Sequence, residues 1–310
     1  MAKMKYADCL VQKPSPFPLE LQRKGGSTTK NPVPGVKATH LMTTDESVQA
    51  GFFTVDCTWL WSGAASGPVG EPHTHGFSHL LGFIGGHPDD PQDLGGEITL
   101  WLDGNQEVFN RNALVFVPAG VVHGPILFKK INRPVFFITI AMTGKYSRTA
   151  AEQPDTSRKK KYSIIDHTKE RFSVAAGART EVPPPTPPPH PSTTKGARIL
   201  HIEEDMVKGA FYVDFVWIFE GTGGAPAPEH THDWPELIAM AGADPTHPHD
   251  LGGKMSIVLE DETHYTDKST LVCIPKHTRH CPWLFHDIKR PTLVFSAGPQ
   301  GMYTGSHKKD

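Results

Sequence analysis

Two histidine-rich stretches of the chain carry metal-ligand spacing: Pro72-His73-Thr74-His75-Gly76-Phe77-Ser78-His79 and Glu229-His230-Thr231-His232-Asp233-Trp234-Pro235-Glu236. On an extended strand side chains alternate faces, so positions i, i+2 and i+6 share one face and three ligands can converge on one point. A further nitrogen follows in each copy, His123 after Pro118 and His280 after Pro275, and the His75 to His123 spacing equals that from His232 to His280. The candidate ligands are therefore His73, His75, His79 and His123 in one set and His230, His232, Glu236 and His280 in the other. Imidazole nitrogen mixed with carboxylate oxygen suits a divalent Mn, Fe, Co, Ni or Zn ion. The Glu236 set would leave that ion a net charge near +1. A set of four neutral histidines would keep the full +2, which strengthens its Lewis acidity and further acidifies bound water. Either set leaves open positions on a six-coordinate ion. A substrate with two adjacent oxygens, such as a 1,3-diketone enol or a hydroxy-ketone, would suit them.

The elements that must position these residues come in duplicate. Shifting the sequence by 157 residues lays 73–146 on 230–303 without a gap, and 24 of the 74 positions are identical, so one fold is used twice. The matches include Asp93-Leu94-Gly95-Gly96 on Asp250-Leu251-Gly252-Gly253, Arg133-Pro134 on Arg290-Pro291, and Tyr146 on Tyr303. Upstream, Val55-Asp56 lies on Val213-Asp214, and Lys5-Tyr6 on Lys161-Tyr162. These matches divide the chain into an N-terminal domain over 1–147, a polar linker over 148–160 and a C-terminal domain over 161–310. Segments such as Phe52 to Trp61, Gly96 to Leu102, Ala113 to Val117 and Val135 to Ile140 are rich in β-branched and aromatic residues. Turn signals such as Asp103-Gly104-Asn105 bound them. Long helical periodicity is nearly absent. The fold class is all-β, with a small antiparallel barrel or sandwich in each half whose interior suits one small ligand. The proline runs at Pro14 to Pro18, Pro32 to Pro34 and Val182 to Pro191 read as extended arms, since proline cannot join a central strand.

Composition narrows the partners. A net charge of −2 over 310 residues gives no field for nucleic acid or an anionic membrane. No apolar run reaches the roughly 20 residues of a membrane helix, and the start lacks a signal-peptide stretch, so a cytoplasmic location is the default. The expected partner is a small-molecule substrate, with homo-oligomerisation compatible. Cys9, Cys57, Cys273 and Cys281 have no paired spacing and read as free thiols.

Both halves resemble cupin domains, whose first motif runs His-x-His, Glu, Gly and whose second runs Pro-x-Gly-x-x-His. His230, His232, Glu236, Gly242, Pro275 and His280 match in the second half, with His277 where glycine is preferred. In the first half His73, His75, Gly85, Pro118, Gly120 and His123 match, with His79 in the place of Glu. The resemblance implies two tandem cupin (double-stranded β-helix or jelly-roll) barrels. It is specific for fold and less so for reaction. The glycine-bounded loop Gly85 to Gly96, repeated as Gly242 to Gly253, is similar to one in manganese-dependent bicupins of the dihydrophloroglucinol cyclohydrolase kind, which implies Mn and hydrolytic ring opening. Such a loop would be expected at the barrel mouth, either fixed by Asx turns or facing substrate.

Three function classes follow. The first is hydrolytic carbon–carbon cleavage of a small cyclic polyketone; the second is an Fe(II)- or Cu-dependent dioxygenase; the third is a non-catalytic binding bicupin. Glu97, Lys254 and Tyr265 are candidates for a base or substrate anchor, set against plain surface exposure. His264 beside Tyr265 is a candidate for the second pocket. Trp59 with Trp61, and Trp217 with Phe219, read as barrel core or pocket wall. The recurrence of Arg133 and Arg290 points to a structural role.

Overall fold

The computed structural model describes residues 4–14, 20–21, 33–156, 160–166, 193–224, 228–303 and 306–307. Ser15 to Pro18, Pro32 and the Val182 to Pro191 run lie outside them. The regular structure of the described residues is β throughout apart from a single 3-10 turn, Ala7–Cys9. Each half folds as its own antiparallel sheet of eleven strands. The first sheet runs Thr149–Ala150, His73–Thr74, His123–Ile131, Thr54–Gly63, Val135–Ala141, His79–Gly85, Ala113–Val117 and Ser163–Ile165. Val36–Thr44 is added on Thr54–Gly63, and the hairpin Asp93–Leu102 with Asn105–Arg111 on His123–Ile131. The second runs Ser306–His307, His230–Thr231, His280–Ile288, Tyr212–Gly224, Thr292–Gly298, Glu236–Gly242, Thr270–Ile274 and Leu10–Val11, with matching additions.

The end strands show that the compact units do not follow the sequence boundaries. One unit is Lys13–His167 with Val207–Ala210; the other is Met1–Gln12, Thr168–Met206 and Phe211–Asp310. Leu10 and Val11 pair with Val272 and Leu271, and Ile164 and Ile165 pair with Val115 and Leu114. The segment after each Lys-Tyr pair thus adds an edge strand to the barrel of the other repeat. The expected linker is also partly sheet: Thr149 and Ala150 pair with Thr74 and His73, as Ser306 and His307 pair with Thr231 and His230. A two-residue ligand strand needs a partner on its open edge, and these residues supply it.

Strand alternation sets the interior. Along His79–Gly85, Leu81 and Phe83 join a cluster with Leu60, Val115, Val117, Phe128 and Phe137; along Glu236–Gly242, Ile238 and Met240 join Val272, Ile274 and Phe285. His79 and Glu236 share that inward face by parity, so each ligand cluster lies over a plug of packed apolar side chains. Leu60 points inward, which turns Trp59 and Trp61 to the other face, where Trp59 packs on Trp61 and Phe136. They are buried, but they are not the pocket wall.

The Pro-Asp-Gly-Gly loops are fixed by buried polar hubs. Asn112, fully buried, accepts from Gly85 N at 2.7 Å and donates to Pro91 O at 2.8 Å; Ser269, its equivalent, accepts from Gly242 N at 3.1 Å. Asx turns add Asp93 Oδ1 accepting from Gly95 N and Asp250 Oδ1 from Gly252 N, both at 2.8 Å, and Arg133 and Arg290 pair with the same aspartates. Each loop starts six residues beyond His79 or Glu236, about 20 Å along the strand, and so lies at the opposite end from the ligands. Of the two expectations for this loop, fixation by Asx turns is the one these contacts bear out.

Gly242 allows the loop to close, since a Cβ there would stand 1.9 Å from Asp250 O and 2.9 Å from its carbonyl carbon. Backbone cannot yield as a side chain would. Gly242→Ala is therefore expected to lower stability by about 1–3 kcal/mol, read as a lower Tm in thermal unfolding. An unchanged Tm would show that the close approach does not exist.

Candidate metal centres

The register brings the ligands together. His73 pairs directly with His123 and His230 with His280, while His79 lies opposite Val117 on the neighbouring strand and Glu236 opposite Ile274. All are buried. In the second half His230, His232, Glu236 and His280 offer ligand atoms within 4.8 Å of one another. In the first half the corresponding group is His73, His75, His123 and Glu20, a residue from upstream of the barrel strands that sequence reasoning missed.

Glu20, only 3% exposed, supplies the carboxylate missing at position 79. Its Oε1 lies 3.1 Å from His73 Nε2 and 3.5 Å from His123 Nε2; its Oε2 lies 3.9 Å from His75 Nε2 and 3.7 Å from His79 Nδ1. Ligands at right angles about an ion with bonds of ~2.1 Å stand about 3.0 Å apart, so these separations are near those of neighbouring ligands. The expectation of an all-histidine first set with an uncompensated +2 ion is thereby corrected: Glu20 lowers the charge as Glu236 does. His79 stands beside the cluster as an additional nitrogen, 3.5 Å from His123 Nε2.

Backbone carbonyls fix the ligand tautomers. His73 Nδ1 faces Glu71 O at 2.7 Å, His75 Nδ1 faces Ser147 O at 2.7 Å, and His123 Nδ1 faces Val121 O at 3.1 Å. His230 Nδ1 lies 2.7 Å from Pro228 O and His280 Nδ1 2.9 Å from Thr278 O. A carbonyl only accepts, so each Nδ1 carries a proton and each Nε2 faces the cluster, where its lone pair is the one an ion would take. Nε2 of His73 and of His75 are buried with no hydrogen bond. Such nitrogens fit a metal: three inward lone pairs and one carboxylate in a water-poor interior are a donor set for a divalent ion.

Two tyrosines complete the centres. Tyr146 donates its hydroxyl to Glu20 Oε2 at 2.9 Å, and Tyr303 donates to His230 Nε2 at 2.8 Å. Their coincidence in the repeat was visible in the sequence, but not its meaning. Burial, with Glu236 beside it, holds the Tyr303 hydroxyl well above its usual range, so it stays protonated. Phe77 stacks on His75 at 4.8 Å and Trp234 on His232 at 3.9 Å between ring centroids, closing one side of each cluster.

The proposed acid–base residues are placed elsewhere. Glu97 lies at the level of Lys130 where Leu102 is at that of His123, and Lys254 at that of His286 where Leu259 is at that of His280. Five residues of strand put each about 16 Å from its ligand histidine. Glu97 binds Lys129 at the surface, and Tyr265, 59% exposed, stacks under Lys254 Nζ at 4.8 Å. None of the three is brought to either cluster. His264 is buried, 3.3 Å from Glu262 Oε2 on the same strand. All four cysteines are free and buried, and no helix among the described residues is long and apolar enough to cross a membrane.

Burial opposes ionisation of both carboxyls, yet the facing imidazoles prevail: Glu20 is held well below its usual value and Glu236 is brought to about 2. Desolvation depresses His123 and His230 to about 4, and lowers His75 and His79. Burial also opposes the charge of His73 and His280, but Glu20 and Glu236 raise them. His280 Nε2 stands 2.8 Å from Glu236 Oε2, a contact that needs a proton between them. Metal binding must release it.

Equilibrium dialysis is expected to find two divalent ions per chain. Glu20→Gln should weaken the first and Glu236→Gln the second by about 10–100-fold; one site lost in both variants, or none, would refute the assignment. In metal-stripped protein the unfolded histidines take up protons below about pH 6.5, whereas His123 and His230 stay neutral in the fold to about 4. Stability then falls as pH falls through that window. His73 and His280 act in the opposite sense, but the four lowered histidines outnumber them. The Tm of chelator-treated protein should be lower at pH 5 than at pH 7, and an equal or higher one would count against the protonation states given.

No protein-family model matches the sequence, and no curated protein does. Solved structures do match. Oxalate decarboxylase from Bacillus subtilis at pH 4.6 shares 13% identity over 88% of this chain and 74% of that one, with a TM-score of 0.51. A second structure of the B. subtilis enzyme, studied for its Mn(II) centres, has 12% identity, covers 88% and 75%, and scores 0.51. The Lactobacillus farciminis oxalate decarboxylase formate complex has 12% identity, covers 88% and 84%, and scores 0.50. At such identity the likeness is one of fold. With two curled all-β sheets and a buried ligand cluster in each, the chain has the fold of these structures, two tandem cupin-like barrels.

Proposed function

We propose that this bicupin is a divalent-metal enzyme, with Mn as the favoured ion, that cleaves a carbon–carbon bond in a small dicarbonyl compound, specifically by hydrolytic opening of a cyclic polyketone. The observation that carries the reading is the second centre: His230, His232, Glu236 and His280 converge, and the Tyr303 hydroxyl lies 2.8 Å from His230 Nε2. When bound, the ion supplies Lewis acidity toward a carbonyl oxygen and acidifies water. The chain supplies the rest. Apolar strands beneath and Trp234 beside the cluster exclude bulk water, which strengthens every charge interaction there. With His230 Nε2 holding an ion, the Tyr303 hydroxyl would be without that acceptor and could donate to a substrate instead. Held protonated by burial, it can give its proton to the carbon that departs as an enolate.

The balance for the simplest substrate is cyclohexane-1,3-dione plus water giving 5-oxohexanoic acid. Water oxygen bonds to one carbonyl carbon, the bond from that carbon to the methylene breaks, and the methylene gains a proton. A second reading, decarboxylation of a small oxo-acid, is favoured by the fold neighbours, which are oxalate decarboxylases.

Mn-loaded protein without O2 is expected to form 5-oxohexanoic acid at the aerobic rate. Tyr303→Phe should keep both ions and lose about 10²-fold or more in kcat. Stoichiometric O2 uptake or a strict Fe(II) requirement would favour the dioxygenase. CO2 from oxalate, with the diketone untouched, would favour the second reading.

A further inference from the structure

The loop end of the first barrel carries a cleft of about 450 Å³. Asp90 and Asp93 of the loop line it, with Asn110 and Arg111 from the hairpin strand and Asn132 and Arg133 from the bend just after His123–Ile131. This end of the strand stands about 20 Å from position 79, so the cleft is separate from the metal cluster.

Some of its groups are already committed. Asp93 accepts from Gly95 N through Oδ1 and pairs with Arg133 through Oδ2. Asp90 Oδ1 accepts from Gln92 N at 3.2 Å, which leaves its Oδ2 without a donor among the described residues. Arg111 is different. It faces Asp93 across the hairpin, yet that carboxylate goes to Arg133, and Arg111 has no side-chain hydrogen bond or ion pair among the described residues. The side-chain amides of Asn110 and Asn132 have none there either.

The repeat shows that these groups are not needed to close a barrel. The equivalents of Asn110, Arg111 and Asn132 in the second half are Asp267, Lys268 and Lys289. There each cation has its own carboxylate: Lys268 pairs with Asp267 at 3.8 Å, Lys289 with Asp287 at 2.8 Å and Arg290 with Asp250 at 3.1 Å. In the first half asparagine stands in place of Asp267, and Arg111 keeps its charge with nothing to offset it.

A free guanidinium presents five N–H donors in a planar fork that fits a carboxylate or a phosphate group. The volume lies within the roughly 300–1,000 Å³ of small-molecule sites and far exceeds a single inorganic ion. Two amides that both donate and accept, and a carboxylate that only accepts, suit hydroxyl groups. No aromatic side chain lines the cleft to stack on a flat ring.

We propose that this cleft is a second ligand site, for a small hydroxylated organic anion of the sugar-acid or sugar-phosphate kind, with Arg111 on the anionic group and Asp90, Asn110 and Asn132 on the hydroxyls. The inference goes beyond the reaction proposed for the metal centres and does not depend on it.

Isothermal titration calorimetry of the metal-loaded protein compares D-glucuronate, D-glucose 6-phosphate, D-glucose and inorganic phosphate. At least one of the two sugar anions is expected to bind at one per chain, and the tighter of them identifies the anionic group. Arg111→Gln should weaken that binding about 10-fold or more, because a charged hydrogen-bonding partner is lost. Arg111→Lys keeps the charge without the fork and should fall between. Lys268→Gln, the equivalent change in the second barrel, should leave the affinity as it was. Both positions are exposed, so these variants are expected to fold. Glucose binding as tightly as the anions, or inorganic phosphate matching glucose 6-phosphate, would overturn the proposal. So would an affinity that Arg111→Gln does not move, as for a sugar held at a metal centre, or the absence of binding by both sugar anions.

Discussion

A buried carboxylate facing buried imidazoles is the interaction on which both halves of the molecule depend. Glu20 and Glu236 are 3% and 2% exposed, in surroundings where an unpaired charge would cost several kcal/mol. Each is tolerable only because nitrogen-bearing rings surround it. Those rings are held in turn by backbone carbonyls that accept their Nδ1 protons, from Glu71, Val121 and Ser147 in one half and Pro228 and Thr278 in the other. The carbonyls belong to segments next to the short ligand strands. Edge pairing by Thr149–Ala150 and Ser306–His307 holds those strands. Charge, tautomer and strand pairing therefore form one chain of dependence, and the apolar plug beneath prevents water from relaxing it.

Duplication shows which parts of that arrangement are fixed and which are free. Three histidines, a carboxylate and a tyrosine recur in both halves, but the carboxylate comes from position 236 in one and from residue 20 in the other. A histidine at position 79 does not abolish the site, because any anionic side chain able to reach the same few ångströms satisfies the same electrostatics. The constraint acts on the position of a charge and not on a sequence position.

That is also why the site was only partly legible in the sequence. Strand parity located His73, His75, His230 and His232, and the common offset added His123 and His280, because regular secondary structure turns spacing into direction. The two-residue turn at Asp103-Gly104 was legible too, with both residues at positive φ and Leu102 paired to Asn105 across it. Glu20 was not, since it lies outside the repeat and no periodicity ties it to a face. The edge strands Leu10–Val11 and Ser163–Ile165 were missed for a related reason: two or three residues are too few to show alternation, and their partners lie more than 250 residues and about 50 residues away in sequence. The repeat of Tyr146 and Tyr303 was visible, but identity alone gives no direction for a side chain.

The Pro-Asp-Gly-Gly loops show how recurrence can mislead. Their strong match between halves suggested function at the barrel mouth, and Glu97 and Lys254 at their ends took on the role of acid–base candidates. Yet a strand of seven residues has two ends, and the ligand occupies the first. What the loops preserve is a closure in which Gly85 and Gly242 meet backbone oxygens, Asn112 and Ser269 satisfy the amides of those same glycines, and Arg133 and Arg290 neutralise Asp93 and Asp250. The groups named here are paired with one another or with the loop backbone, which accounts for their recurrence in both halves. At the metal end the opposite holds: inward lone pairs and a tyrosine hydroxyl face the interior. A feature shared by both halves identifies what each barrel needs in order to close, whereas His79 and Glu236, the one ligand position where the halves differ, identify where their chemistry can diverge.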